Sequence, residues 1–409
     1  MRHCRRTTTV LTALAVAAGT LGAGTSVAAT APAPAPSFYD TPSTITGAPG
    51  DVIRAEPSSF YLDPLRVLPA PAAAERVMYV STDRTGTKIA VTGTVLTPRA
   101  PWTGPGERPV VAYAVGTQGL GDQCAPSRQL DAGTEYEGTF ITGLLARGYG
   151  ITITDYQGLG TAGVHTYTSR EVTGRAVLDS VRAAQRLPAA NLPDHGPVAL
   201  SGYSQGGGAT AAAAEIAPTY SPELDLRGVV AGAVPADLGA VARNLDGSLY
   251  FSFLGYSLAG LSASYGVQLD GYLNARGRRV VAALEQQCTT DSIAAFPFVR
   301  SSSLTSDGRS ATQLLATAPF RGIVADQRIG TRPPAVPVLV THSLLDDVIP
   351  YAVGRNLATQ WCGEGASVQM ATNLAPTHVG GALGSYPASF AFLEARFAGV
   401  PAARGCTGL

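Results

Sequence analysis

The stretch Pro197-Val198-Ala199-Leu200-Ser201-Gly202-Tyr203-Ser204-Gln205-Gly206-Gly207-Gly208-Ala209-Thr210-Ala211-Ala212-Ala213-Ala214-Glu215 decides how the rest of the chain is read. Its first five residues make an apolar run of strand length, and Gly207 to Glu215 read as a small-residue helix opened by glycines. Between them stands Gly-x-Ser-x-Gly, which in a strand-turn-helix setting lifts the serine out on a sharp turn, a nucleophile elbow. Such a turn forces the serine into a sparsely populated backbone conformation, at about 1–3 kcal/mol. The residues two before and two after it then run close to neighbouring chain, which suits Gly202 and Gly206. The competing reading is a glycine-rich turn with an ordinary exposed serine. The flanking sequence decides between them.

Upstream, residues 76–82 and 88–96 alternate apolar and polar side chains across Thr85-Gly86, a hairpin pattern. From Val110 onward the rhythm becomes apolar strand, glycine-bearing loop, helix. Strands are predicted at 110–115, 150–154, 198–202, 228–234, 336–341 and 366–371, and helices near 139–147, 171–186, 207–217, 351–361 and 386–397. That alternation predicts an α/β chain with a mostly parallel sheet and helices on both faces. Between Asp237 and Arg332 the rhythm stops, although Leu249 to Leu261 and Leu273 to Leu284 look helical. Residues 237–332 are therefore expected to be a helical cap inserted between two parts of the core, 51–236 and 333–409. The serines, tyrosines, glycines and Gln268 of residues 249–269 argue against a membrane span there.

Charged residues make up only 14% of the 409, and the formal net charge is zero. Nucleic acid and anionic membranes are thus excluded as electrostatically driven partners. At the N-terminus Arg2, Arg5 and Arg6 precede an apolar stretch from Val10 to Gly24, and Ser26-Val27-Ala28-Ala29 offers small residues for cleavage. Residues 1–29 read as a signal peptide of either export route, and residues 30–50 as a Pro/Ala-rich extended spacer. The expected location is extracellular. Cleavage would leave Cys124, Cys288, Cys362 and Cys406, and four cysteines in an exported chain suggest two disulfides with three possible pairings.

A nucleophilic serine needs a base in hydrogen-bond reach and an acid to orient that base. In the α/β-hydrolase fold these follow in the order serine, acid, histidine. Beyond Ser204 only His342 and His378 occur. His342 precedes the acid candidates and is read as a hydrogen-bonded histidine at a strand end. His378, in a loop ahead of the last helix, is the candidate base. Asp346-Asp347-Val348-Ile349-Pro350 supplies two carboxylates; Asp346 has the better spacing for the acid, and Asp347 fits a turn or helix cap. Backbone donors for a developing oxyanion are expected at Gln205, after the nucleophile, and at Thr117, whose amide and hydroxyl are both on offer, with Gln118 as second choice. No metal and no organic cofactor is called for.

These residues resemble the secretory lipase family. The likeness lies in Asp122-Gln123-Cys124-Ala125-Pro126-Ser127, Gly202-Tyr203-Ser204, Tyr220-Ser221-Pro222-Glu223-Leu224, His342 to Tyr351, Thr377-His378 and two cap stretches, Leu258-Ala259-Gly260-Leu261 and Leu273-Asn274-Ala275-Arg276-Gly277. The resemblance implies an α/β-hydrolase fold and a triad of Ser204, Asp346 and His378. It also implies the pairs Cys124–Cys288 and Cys362–Cys406, and triglycerides or other carboxylic esters as substrates. Two departures stand out. The family's oxyanion side chain can be acidic where this loop has threonine or glutamine. The chain also ends 31 residues after His378, too soon for the C-terminal flap of a yeast member. The expected activity is thus a secreted, monomeric carboxylic-ester hydrolase of the triacylglycerol lipase or esterase type, meeting any lipid surface through its cap. A peptidase, amidase or acyltransferase on the same triad is the alternative, and a non-catalytic binding protein a remoter one.

Overall fold

A computed structural model describes residues 37–403 and 405–409; the signal peptide, Cys4 and the first part of the spacer lie outside the described residues. All that follows concerns the compact unit Tyr39–Leu409. The strands are β1 (Val52–Ser58), β2 (Ala72–Thr82), β3 (Lys88–Pro98), β4 (Val110–Ala114), β5 (Gly150–Thr154), β6 (Val198–Tyr203), β7 (Leu226–Gly232), β8 (Val338–Ser343), β9 (Val368–Asn373) and β10 (Cys406–Thr407). They form one sheet in the order β1-β2-β3-β5-β4-β6-β7-β8-β9-β10. Pairing is antiparallel from β1 to β5 and parallel from β5 through to β10. β4, β5, β6 and β8 are buried along their whole length. Continuous apolar runs are what a sheet covered on both faces requires.

The helices are α1 (Pro126–Ala132), α2 (Gly138–Ala146), α3 (Arg170–Arg186), α4 (Gln205–Tyr220), α5 (Leu238–Leu245), α6 (Phe251–Tyr265), α7 (Ala275–Leu284), α8 (Thr289–Ala295), α9 (Ala311–Leu315), α10 (Phe320–Asp326), α11 (Tyr351–Gly363) and α12 (Thr377–Phe397). In one layer α3 and α4 pack closely because small residues face each other: a β-carbon on Gly174 would lie 2.9 Å from the Ala213 nitrogen. In the other, α2 meets α12 through Phe140, stacked at 4.6 Å on Phe390 and 4.7 Å from Tyr386. Between β7 and β8 the described residues contain the helices α5 to α10 and no strand of the sheet. No helix among the described residues is long and apolar enough to cross a membrane.

The structure departs from the sequence reading at several places. Tyr39, expected in the extended spacer, is buried, with its hydroxyl 2.8 Å from Ser127 Oγ. Gly50 N–H donates to the Val80 carbonyl, so the chain is already on the sheet there. The last helix begins at Thr377, nine residues before the expected start, and carries Pro387 inside it.

A buried carboxylate ties the helical stretch back to the core. Glu215, near the end of α4, pairs with Arg170 at the start of α3. Its Oε1 accepts from Gly330 N–H at 2.7 Å and from Trp361 Nε1–H at 2.9 Å. The charge is thus paired and fully hydrogen-bonded, the condition under which a carboxylate is tolerated in a dry interior. A second tie is covalent: Cys124 is bonded to Cys288, and Cys362 to Cys406. Closing the 164-residue separation of the first pair is worth up to ~5 kcal/mol by chain entropy. Cys124→Ala/Cys288→Ala is therefore expected to lower the melting temperature by about 1–2 °C more than Cys362→Ala/Cys406→Ala, whose separation is 44. Thermal melts of the two double variants check this, and equal melts would remove loop length as the reason.

Candidate active site

Ser204 stands between β6 and α4 with φ 61° and ψ −122°, a backbone conformation that a non-glycine residue adopts only under constraint. Its own N–H donates to the Gly232 carbonyl at 3.0 Å, and its carbonyl accepts from Gly208 N–H at 2.9 Å. A β-carbon at Gly206 would sit 1.9 Å from the Ala114 carbonyl oxygen, and one at Gly202 2.5 Å from that of Gly206. Both neighbours are backbone atoms that cannot swing aside, so both glycines are required. The serine itself is half-buried.

Asp346 follows β8 in a turn that its own carboxylate organises. Oδ1 accepts from the Val348 and Ile349 amides at 2.9 and 2.8 Å, and Oδ2 lies 2.7 Å from His378 Nδ1. A carboxylate only accepts, so Nδ1 carries the ring hydrogen and Nε2 presents a lone pair. Burial by itself would raise the Asp346 pKa. Hydrogen bonds from His342 and His378, the histidine charge and the Ile349 amide outweigh it and hold the carboxyl well below the usual range. His342, at the end of β8, is fully buried; its Nε2–H donates to the Ile349 carbonyl at 2.9 Å and lies 3.4 Å from Asp346 Oδ2. Asp347 takes a different task. Its Oδ1 accepts the His378 backbone N–H at 2.8 Å, capping the first turn of α12. His378 thus belongs to the helix and not to a loop ahead of it, a correction with a physical cause: the Asp347 carboxylate takes the His378 N–H at 2.8 Å and the Thr377 hydroxyl the Gly380 N–H at 3.3 Å, so the first turn is capped.

The structure brings Asp346 and His378 together; it does not close a hydrogen bond between Ser204 and His378. His378 Nε2 is buried and has no hydrogen-bond partner among the described residues. The two residues are coupled through Tyr203, whose ring centre is 5.0 Å from the imidazole and whose hydroxyl donates to the His378 carbonyl at 2.9 Å. Nucleophile–base contacts are commonly long before substrate binds and tighten afterwards.

On the other side of Ser204, Gln205 is the first residue of α4, where the N–H groups have no partner inside the helix. Thr117 is buried, but its hydroxyl is not on offer as expected: Oγ1 is engaged at 2.6 Å with the Tyr167 hydroxyl. The Gln118 side chain is committed too, donating to Glu135 at 3.1 Å and accepting from Gln129 at 2.6 Å. Each residue therefore has only its backbone to give. Sequence reasoning missed the buried carboxylates behind this loop. Glu137 accepts from Gly116 N–H at 2.7 Å and from the Tyr113 hydroxyl at 3.0 Å, while Glu135 Oε2 has no partner. Burial, reinforced at Glu137 by the neighbouring Glu135, pushes both carboxyls up. A raised folded-state pKa means the native chain holds protons that the unfolded chain has lost. The resulting stability is full below about pH 4.3, the unfolded value, and declines as pH rises through the folded values. Glu135→Gln is expected to flatten that decline in melts taken from pH 4.5 to 8; an unaltered slope would place its origin elsewhere.

An apolar cavity of about 100 Å³ lies inside the helical stretch, lined among others by Leu238, Phe251, Leu254, Leu258, Leu284 and Phe320. Phe253, on the same helix α6, stacks between Tyr250 and Tyr256. Neither Ser204 nor His378 lines this cavity. A smaller space of about 20 Å³ shares Leu238 with it and is also lined by Gln205 and Gly208.

A mostly parallel sheet with a strand–elbow–helix serine and an acid–histidine pair beyond the next strands defines an α/β-hydrolase fold. The chain belongs to the secretory lipase family, whose model matches residues 125–405. It is 29% identical to Lipase 10 of Candida albicans over 397 residues, spanning 90% of this chain and 82% of the relative. It is 28% identical to a protein of Mycobacterium tuberculosis named a probable inactive lipase, over 89% of this chain and 82% of that one. A secreted triacylglycerol lipase of Malassezia furfur is 27% identical over 73% of this chain and 81% of its own. Among solved structures, lipase A of Candida antarctica in its closed state superposes with a TM-score of 0.78 at 25% identity, covering 90% of this chain and 87% of that one.

Proposed function

We propose that the chain is an exported carboxylic-ester hydrolase of the triacylglycerol lipase or esterase type. The observation that carries this reading is the buried Asp346–His378 pair, whose free Nε2 lone pair belongs to the same histidine that Tyr203 ties to the serine turn. His378 takes the Ser204 proton as Oγ attacks the ester carbonyl carbon, and the carbonyl electron pair moves onto oxygen. The Gln205 and Thr117 amides receive that oxyanion. His378 then returns the proton to the leaving alcohol, and water repeats the sequence on the acyl-enzyme to release the acid and free serine. Asp346 fixes the tautomer throughout. Residues 237–332 act as a cap, and the apolar cavity among their helices gives room to an acyl chain. Export is supported by the family and by the two disulfides.

The test is labelling of Ser204 by a fluorophosphonate together with hydrolysis of p-nitrophenyl esters of graded chain length, set against the matching anilides. Preference for anilides would move the assignment to an amidase. A second reading, a non-catalytic member, draws on the open Ser204–His378 contact. A chain that neither labels nor turns over any ester would establish it.

A further inference from the structure

Behind the Thr117 loop and the start of α4 runs residues 156–167, a segment with no part in the proton transfers above. It doubles back on itself: a β-carbon at Gly158, where φ is 71°, would lie 2.4 Å from the Val164 carbonyl oxygen. His165 is wholly buried within it. The imidazole stacks on Tyr156, with centres 5.7 Å apart, and meets the edge of Tyr167 at 5.9 Å. Its Nδ1 is 3.0 Å from the Gln157 carbonyl oxygen, which can only accept, so Nδ1 carries the hydrogen. Nε2 then presents a lone pair, and the Gln205 side-chain Nε2 stands 2.9 Å away as the donor.

The same segment grips the opposite wall. Tyr167, two residues on, holds the Thr117 hydroxyl at 2.6 Å, and the Tyr156 hydroxyl donates to the Val115 carbonyl at 2.9 Å. Helix α6 closes over it without room for a side chain, since a β-carbon at Gly260 would lie 2.5 Å from the Tyr167 nitrogen and 2.8 Å from the His165 carbonyl oxygen. A pair of oxyanion donors acts only when held about 2.7–3.1 Å from the oxygen as charge develops, and a displacement of about 1 Å costs up to about a hundredfold in rate. Glutamine at position 205 has a long side chain that must be fixed if the first turn of α4 is to stay still.

We propose that His165 is a positioning residue for the oxyanion site: as the neutral Nδ1–H tautomer it accepts from Gln205 and fixes the residue whose amide receives the oxyanion, while Tyr167 fixes Thr117 from the same segment. This rests on the ester-hydrolase reading. Burial pushes the imidazole pKa down to about 4, against a smaller opposing effect of the Gln157 carbonyl, so the ring keeps its lone pair at neutral pH.

The test compares wild type, His165→Phe, His165→Gln, Gln205→Leu and His165→Phe/Gln205→Leu on a water-soluble p-nitrophenyl ester. Phenylalanine keeps a ring between the two tyrosines and removes the acceptor. His165→Phe and Gln205→Leu are each expected to lower kcat by roughly ten- to a hundredfold with KM little changed, a partial loss of what one oxyanion donor contributes. The pH midpoint of kcat/KM stays where it was, because Asp346 and His378 are untouched. The double variant is no slower than the slower single, and His165→Gln, whose Oε1 can accept, recovers part of the rate. Full activity in His165→Phe, multiplying losses in the double variant, or a moved pH midpoint overturns the proposal. Should His165→Phe not fold, Gln205→Leu at the wild-type rate overturns it, and a roughly ten- to hundredfold kcat loss in Gln205→Leu beside a smaller loss in His165→Gln, which keeps an acceptor for Gln205, supports it. A wild type without ester turnover or Ser204 labelling overturns the hydrolase reading and this one with it; an active wild type with indifferent variants overturns the positioning role alone.

Discussion

Ser204→Ala is expected to abolish ester turnover, lowering kcat on the order of 10⁵–10⁶-fold, while leaving the melting temperature close to that of the wild type. The size follows from the unit character of nucleophile, base and acid, in which loss of the attacking oxygen leaves only binding and oxyanion stabilisation. The stability expectation follows from the turn. Its backbone bonds are made by the Ser204 N–H and carbonyl, and alanine retains both. Alanine does inherit the left-handed φ of 61°, so no gain in stability is expected either. Fluorophosphonate labelling should vanish in parallel with activity. Residual labelling at a second residue, with turnover surviving, would assign the chemistry to another nucleophile.

The second large effect separates the two adjacent acids. Asp346→Asn is expected to lower kcat by about 10⁴-fold, because an amide can present a donor to Nδ1 and favour the wrong imidazole tautomer. It also weakens acceptance from the Val348 and Ile349 amides and the contact to His342, so some loss of stability should accompany it. Asp347→Asn keeps an acceptor for the His378 amide and is expected to cost less than about tenfold, in line with a cap contribution of about 1 kcal/mol. The reverse ranking, with Asp347→Asn the crippled variant, would exchange the roles. The carboxyl of Asp346 is held well below its ordinary value, so it remains ionised as pH falls through the weakly acid range. Its folded pKa lies under the unfolded one near 3.9, so the stability it supplies is complete above that value and is lost only as pH drops through the folded value. A loss of activity between pH 5 and 7 therefore has to come from protonation elsewhere.

The parallel strands were legible because burial on both faces leaves unbroken apolar runs, as at Val110–Ala114 and Val198–Tyr203. The edge strand Val52–Ser58 was not, since it is partly exposed, carries Pro57 and shows no clean alternation. The start of helix α12 is hidden in the sequence because Gly380, Gly381, Gly384 and Pro387 all look like breakers, and one of the groups that cap its first turn comes from Asp347, thirty residues before Thr377. Ser204, Asp346 and His378 could be picked out by spacing and order along the chain. His165, Tyr167, Glu135 and Glu137 could not, since each meets its partner on a different element of the chain. The signal that was available for the first two was a glycine-rich loop carrying aromatic residues after β5, the strand beside β4.

The Cys124–Cys288 bond and the Glu215 cluster bear on how this architecture could be re-engineered. Transplanting residues 237–332 between relatives to alter substrate preference would take Cys288 from its disulfide partner Cys124 and the Gly330 N–H from the buried Glu215 carboxylate. A viable chimera has to carry Cys124 with its loop, and Arg170, Glu215 and Trp361 with their partners. The segment is an exchangeable module only together with the sockets that receive it.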